Sequence, residues 1–510
     1  MPLTLQDLER RIWSAADALR GPVEHADFKS YILPILFYKR ISDVYLQERT
    51  ALESEWGTGH ELLADPDMYT FFVPPGSSWE DLRKVTRNLG SALQDNLDAI
   101  ENANENLAGI FGDVAWANQD RLPEEALVKL VDSFSAIPLD TVSAPGDMLG
   151  DAYEYLLKQF ADDSGKKAGE FYTPRGIVHL LTLIADVQPG EDVLDPTCGS
   201  GGILVEAFNT VKQTHGESEA RTLLLFGQEI NLTTAAIARM NLILHGMNER
   251  SQIRRGNTLT DPQFLDNESH LRQFDRVLAN PPFSIKNWGS DRWESDRYGR
   301  NLGGTPTNGN ADWAFLQHIF SSLKPDGVAA VVQPHGVLFR GGVEGRIRQH
   351  FIENGYIRAI VGLPSNLFYS TSIPSCIVVF QRPDADRRSH GSVLFVDASR
   401  RYSAGKAMNV LADSDVSVIH EIYRDASSGE DFDDTILQHA ATNDLIVRRV
   451  SLNELKQAGY TLNIGQYLAA QAEEDVDVPA AIREMAEASV AAERSQKALI
   501  DILRGAGYEW

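Results

Sequence analysis

From Asp7 to Arg20 the apolar positions Leu8, Ile12, Ala15, Ala16 and Leu19 recur with a helical period. A second, more apolar run from Phe28 to Leu46 carries Ile32, Leu33, Ile35, Leu36, Ile41 and Val44, and Pro34 inside it is expected to start or kink that helix. Pro74 to Ser78 reads as a loop, and Leu82 to Leu107 predicts helix again. Residues 1–140 are therefore expected to form an all-α domain. Ala144-Pro145-Gly146 breaks this texture. Beyond residue 177, short β-rich runs alternate with helical segments: Asp192–Leu194, Thr222–Gln228, Gln252–Arg255, Arg276–Ala279, Val328–Gln333, Ile357–Leu363 and Cys376–Gln381. That alternation predicts a doubly wound α/β sheet over 145–385. Val393–Val396 is expected to add an edge strand or a small extra unit, while 386–470 otherwise carries weak, mixed signals. Pro479–Arg504 is rich in Ala, Glu and Arg, with apolar spacing at Ile482, Met485, Ala488, Ala491 and Ala492. Residues 475–510 thus predict a helical tail, either a solvated surface helix or one that docks a partner.

Composition narrows this picture in three ways. No apolar run approaches the ~18 residues of a membrane span, and the N-terminus lacks the basic and apolar regions of a signal peptide. The two cysteines, Cys198 and Cys376, fit neither a metal-ligand spacing nor a disulfide framework, so no metal site is expected and a reducing cytoplasm is the default. The formal net charge of −25 argues against a chain that binds nucleic acid unaided. Any role on DNA needs a local basic patch or a partner that carries most of the binding.

The candidate chemistry lies at strand ends. The first strand ends in Asp195, followed by Pro196-Thr197-Cys198-Gly199-Ser200-Gly201-Gly202 and a helix from Ile203. Glycines there let the backbone approach a ligand closely. The spacing is neither that of a dinucleotide fingerprint nor that of a phosphate loop. A cationic ligand suits Asp195 better, with the turn packed on the methionine part of S-adenosylmethionine. The second strand ends in Glu229, at the spacing of a ribose-binding acid. The third delivers Asn257, whose amide can meet an adenine edge. The fourth ends in Asn280-Pro281-Pro282-Phe283. Proline fixes φ and donates no hydrogen bond. The motif therefore holds the Asn280 amide oxygen and the Pro281 carbonyl side by side, with an aromatic ring next door. Such a pair of acceptors suits a planar group bearing an NH2, adenine above all.

The turn 195–202, Gly-Gln-Glu-Ile-Asn at 227–231 and Asn-Pro-Pro-Phe at 280–283 resemble the motifs of amino-methyltransferases acting on adenine N6. Gly169 to Arg175 looks like the Phe-Tyr-Thr-Pro element that precedes the cofactor turn in those enzymes. The motif order is that of the gamma class. Trp13–Gly21 and Tyr31–Asp43 are similar to the helical domain of the modification subunit of type I restriction-modification systems. The resemblance spans residues 5–385. It implies a Rossmann-like S-adenosylmethionine-dependent methyltransferase sheet, with the helical domain 1–140 serving assembly or DNA clamping. It also implies that Glu170, Phe171, Tyr172, Thr173, Pro174 and Arg175, with Thr197, Gly199, Ser200, Gly201 and Gly202, border the methionine end of the cofactor. Asp195 would take its ammonium, Glu229 its ribose and Asn257 its adenine, where related enzymes often carry Asp. Asn280, Pro281, Pro282 and Phe283 would hold and stack the flipped base.

The implied partners are double-stranded DNA, a separate specificity subunit, a second copy of this chain and, in a full system, a restriction subunit. No helix-turn-helix, zinc site or strongly basic helix provides recognition within the chain itself. The rival readings are a methyltransferase for RNA or a protein amide, and a cofactor-binding assembly subunit without chemistry. The stretch 284–313 mixes Lys286, Arg292, Arg297 and Arg300 with Trp288, Trp293 and Tyr298, which suits either DNA backbone contact or a disordered loop that pairs its own charges. Phe368 reads as a second wall of the base pocket or as a core residue. Cys198 reads as packing, and His179, His245 and His335 as structural.

Overall fold

The computed structural model describes residues 4–24, 27–164, 173–368, 372–383, 391–405, 408–428, 434–468, 494–497 and 500. The N-terminal part is helical: α1 (Leu5–Ala15), α2 (Phe28–Trp56), a short α3 (Trp79–Leu82), α4 (Leu89–Ala103), α5 (Glu124–Ser135) and α6 (Gly146–Ser164). Thr4 caps α1 through its hydroxyl, which accepts from Asp7 N–H. Helix α2 runs through Pro34 instead of starting there, because burial on nearly every side of its first half outweighs the lost hydrogen bond. The predicted helix from Leu82 to Leu107 starts only at Leu89, where Asn88 adopts the left-handed conformation, φ 55°.

Next come α7 (Arg175–Ala185), β1 (Asp192–Asp195), α8 (Gly202–His215), α9 (Glu217–Ala220), β2 (Leu224–Glu229), α10 (Leu232–Leu244), β3 (Ser251–Arg255) and β4 (Phe274–Ala279). Then follow α11 (Asp312–Ser321), β5 (Leu323–Pro334), α12 (Gly336–Phe339), α13 (Gly342–Glu353), β6 (Ile357–Gly362) and β7 (Ser375–Gln381). The chain continues through β8 (Ser392–Asp397), the hairpin β9 (Ser403–Ala404) and β10 (Asn409–Val410), α14 (Asp413–Ser427), α15 (Asp434–Thr442), β11 (Ile446–Ser451) and α16 (Leu452–Gln457). A separate C-terminal unit, 464–510, contains α17 (Ile464–Leu468); most of the predicted helix Pro479–Arg504 lies outside the described residues.

One sheet of nine strands has the order β11-β8-β6-β7-β5-β4-β1-β2-β3. Strands β3, β2, β1, β4 and β5 are mutually parallel, and β7 runs antiparallel to both β5 and β6. Strand order reverses between β1 and β4, which opens a crevice at their carboxyl ends, where ligands bind in open α/β sheets. Val393–Val396 is not an edge: β8 is interior, and β11 covers it antiparallel.

Among the described residues, beside a smaller core at Leu259, Trp288, Trp293, Ala311, Ala314 and Phe315, two large cores hold the chain. One contains Leu8, Ile32, Leu36 and Leu130 of the helical part together with Tyr153 and Leu156 of α6 and Ile237, Met240 and Leu244 of α10. The other lies under the sheet and gathers Leu181, Leu204, Leu242, Val332 and Val361. Helix α10 therefore has one face in each.

Candidate active site

Asp195 ends β1 and is 1% exposed. Its Oδ1 accepts from Thr197 N–H at 2.9 Å, while among the described residues Oδ2, like Thr197 Oγ1, is buried without a hydrogen-bond partner. Burial pushes the Asp195 carboxyl up to about 7, and the charge of Glu229 pushes in the same direction. The turn then leaves the strand and is tied to β2, Cys198 N–H donating to Gln228 O at 2.9 Å. This requires Gly227: a Cβ there would come within 2.9 Å of Cys198 Sγ and 2.4 Å of Ile253 Cδ1. Cys198 is thus packing, its thiol pushed far up by burial. Gly201, at φ 82°, closes the turn into α8, which starts at Gly202. Asn241, fully buried on α10, donates Nδ2 to Ser200 O at 3.0 Å and so holds the turn from behind.

Glu229 ends β2. Its Oε2 accepts Gly199 N–H at 3.2 Å and its Oε1 accepts Asn231 N–H at 2.8 Å. Burial raises its pKa, partly offset by these backbone donors. Two buried carboxylates thus flank one glycine turn. Ile230, the next residue, is 60% exposed, an apolar side chain left bare beside the acid. Its position directly after a strand-end acid is the only sequence signal that marks it. Asn257 follows β3 and spends its Oδ1 on Leu259 N–H at 3.0 Å and Thr260 N–H at 3.2 Å, while among the described residues its Nδ2 donates to no protein acceptor.

Asn280 follows β4. Its Nδ2 donates to Thr173 Oγ1 at 3.0 Å, and among the described residues Oδ1 accepts from no protein donor. Thr173 therefore sits at the Asn280 end of the crevice and uses its hydroxyl there. Pro174 caps α7 and Arg175 is exposed at its first position. Glu170, Phe171 and Tyr172 lie outside the described residues. Pro281 is buried, Pro282 exposed, and Phe283 half-buried with its ring edge-to-face to Phe368, centroids 6.0 Å apart. Phe368 is at once a core residue and the neighbour of Phe283.

The stretch 284–313 is neither disordered nor uniformly a DNA-facing loop. Trp288 and Trp293 are buried edge-to-face at 5.1 Å. Arg300, 2% exposed, pairs with Asp296 at 2.6 Å and donates to Thr258 O at 3.1 Å and Leu259 O at 2.9 Å. Only Lys286, Arg292 and Arg297 of its four cations face solvent. The three histidines all hydrogen-bond within the scaffold: His179 to Glu206, His245 to Asn241 O and His335 to Ser375 O. Among the described residues no His, Cys, Asp and Glu group could hold a metal, and no helix is long and apolar enough to cross a membrane.

Residues 144–476 match the family described as N-6 DNA Methylase, and 8–134 match the HsdM N-terminal domain. The methyltransferase subunit of a type I restriction-modification system from Streptococcus thermophilus is 31% identical, with a TM-score of 0.77, over 91% of this chain and 100% of that one. The type I restriction enzyme MpnII methylase subunit of Mycoplasma pneumoniae is 29% identical over 92% of this chain and 91% of its own length. The MjaIX methylase subunit of Methanocaldococcus jannaschii is 28% identical over 92% and 85%.

Proposed function

Since this chain belongs to the N-6 DNA methylase family, as a DNA adenine-N6 methyltransferase subunit of type I restriction-modification systems, we propose how its residues divide the work. Asn280 Oδ1 and the Pro281 carbonyl take the two hydrogens of the target amino group, and Phe283 stacks on the flipped base. The lone pair of that nitrogen is delocalised into the ring, so it is a poor nucleophile. Two fixed acceptors draw it toward a tetrahedral form and aim the lone pair. The proton leaves after attack, so no strong base is needed, and catalysis rests on positioning and preorganised electrostatics. The observation that carries this reading is the Thr173 bond, which occupies Asn280 Nδ2 and leaves Oδ1 as the free acceptor.

The family uses S-adenosylmethionine, and the crevice fits it. The buried Asp195 Oδ2, without a partner among the described residues, suits an ammonium, and the N-terminus of α8 suits the carboxylate beside it. Glu229 is placed for ribose hydroxyls, with Thr197, Gly199, Ser200, Gly201 and Gly202 lining the methionine end and Thr173, Pro174 and Arg175 closing it. Ile230 offers an apolar face to the purine, and Asn257 Nδ2 a donor to its edge. When bound, the cofactor supplies an electrophilic methyl group.

Its partners are duplex DNA, a specificity subunit and a second copy of this chain. The charge of −25 supports a division of labour in which another polypeptide reads sequence. Transfer of tritiated methyl groups to duplex DNA, with and without the co-purified polypeptide, tests this: transfer should need both. Efficient site-specific transfer by the chain alone would overturn it.

A further inference from the structure

The backbone that leaves the catalytic motif is held under strain. Ser284, directly after Phe283, sits at φ 56°, a left-handed conformation that a non-glycine residue keeps only when its surroundings enforce it. The enforcing group is Asp312, the first residue of α11, which is 1% exposed. Its Oδ1 accepts Ser284 N–H at 2.7 Å and its Oδ2 accepts from Arg340 Nη1 at 2.9 Å. Asn310 braces the same corner, accepting Asp312 N–H at 2.8 Å and reaching Ser284 Oγ at 3.4 Å. Arg340 lies across Gly336, where a Cβ would come within 2.3 Å of its guanidinium.

Pro281 and Pro282 have fixed φ, so the remaining freedom in the segment lies in their ψ angles and in Phe283 and Ser284. Asn280 is anchored at the other end by β4 and Thr173. We propose that Asp312 is a positioning residue for methyl transfer: by gripping the Ser284 amide it fixes the Phe283 ring and the Pro281 carbonyl. This rests on the reading of 280–283 as the clamp on the target amino group. Arg340 holds the carboxylate in register, its charge balancing an acid otherwise buried beside Glu344.

The test uses the full chain in its assembled complex, unmodified genomic DNA and tritiated S-adenosylmethionine. Asp312→Ala should lower the single-turnover rate about 10–100-fold, the cost of a misplacement near 1 Å, and leave cofactor affinity within twofold. Ser284→Gly alone should change little, because glycine adopts the left-handed conformation freely. In the Ser284→Gly background the Asp312→Ala loss should shrink severalfold. A loss that is equal in both backgrounds, or a single-variant rate within twofold of the parent, would overturn the proposal. If Asp312→Ala does not fold, Asp312→Leu, which fills the site without an acceptor, is compared in the same two backgrounds with the same criteria, and Asp312→Asn, which keeps Oδ1 as an acceptor for Ser284 N–H, should stay within a few-fold of the parent. Asn280→Ala separates the two levels. If it turns over normally, the clamp reading itself fails; if it is inactive while Asp312→Ala is not, only the positioning role fails.

Discussion

Asn280 Nδ2 donates to Thr173 Oγ1 at 3.0 Å, across 107 residues of sequence. The bond joins Thr173, just ahead of α7, to the residue that follows β4. It fixes the amide orientation, and under the proposed role of Asn280 it leaves the oxygen toward the target amino group. An Asn free to flip would present a donor to the target NH2 in half of its orientations.

Asn280→Ala should therefore abolish methyl transfer, a loss of roughly 3–4 kcal/mol or 10²–10³ in rate by analogy with single oxyanion-hole donors. Cofactor binding should stay within a few-fold. Thr173→Val keeps the shape and removes the hydroxyl, and should lower the rate by less, on the order of tenfold. Turnover assays paired with calorimetry check both, and full activity in Asn280→Ala would sink the mechanism.

Glu229→Ala should act on the other ligand. Losing a hydrogen bond to a charged, buried group weakens binding by about 1.5–3 kcal/mol, or tenfold and more. The rate at saturating cofactor should fall less. An unchanged dissociation constant would exclude Glu229 as the ribose ligand.

If Asp195 takes the cofactor's ammonium as proposed, cofactor binding should depend on pH. Burial raises its carboxyl to about 7, so the unliganded folded chain holds a proton that the unfolded chain has already lost above the ordinary carboxylate range. Its contribution to stability is full at acidic pH and is lost as pH rises toward 7. A bound ammonium favours the carboxylate, so affinity should rise with pH until the ligand's own α-ammonium begins to titrate at about 8, and proton release should accompany binding near pH 6 (about one unit below the Asp195 value) but vanish or turn to uptake near pH 8. Titration in buffers of different ionisation enthalpy measures this. Equal, near-zero release at both values would remove Asp195 from the ammonium site.

Arg300→Met should destabilise the chain by about 3–5 kcal/mol, because it leaves Asp296 buried without its partner. Adding Asp296→Leu should recover much of that loss. Thermal melts of the single and double variants decide the point; a single variant as stable as the parent would mean that Arg300 does not anchor the 284–313 segment.

The isolated chain should bind DNA weakly, without sequence preference, and release it by about 0.2 M salt, since phosphate contacts are strongly salt-dependent. Removing Pro479–Trp510 should weaken complex assembly and spare cofactor binding. Gel shifts and co-purification test these expectations; tight sequence-specific binding by the chain alone would contradict them.

Much of the site's geometry was legible because β1, β2 and β4 end in short apolar stretches that stop at a polar residue, and Asp195, Glu229, Asn257 and Asn280 do end or follow successive strands of one sheet, although β3 (Ser251–Arg255) is mostly polar. What the sequence hid is long-range. Arg300 reads as a surface cation until Thr258 and Leu259, some forty residues earlier, offer their carbonyls. Strand β11 carries Arg448 and Arg449 in its middle and lacks a clean alternation, so its pairing with β8 emerges only from the fold. Asp312 looks like an ordinary first-turn acid, and nothing local reveals that it reaches Ser284.

Helix α10, with one side among Leu8 and Ile32 and the other under the sheet, makes the two halves of the polypeptide inseparable. A catalytic fragment cut free of the helical part would turn Ile237, Met240 and Leu244 toward water and should aggregate during expression. A chimera that borrows the helical half of a relative would have to inherit the matching face of α10 as well. The modular appearance of the sequence is thus a property of its motifs, and the unit that can be transplanted is larger than either motif set.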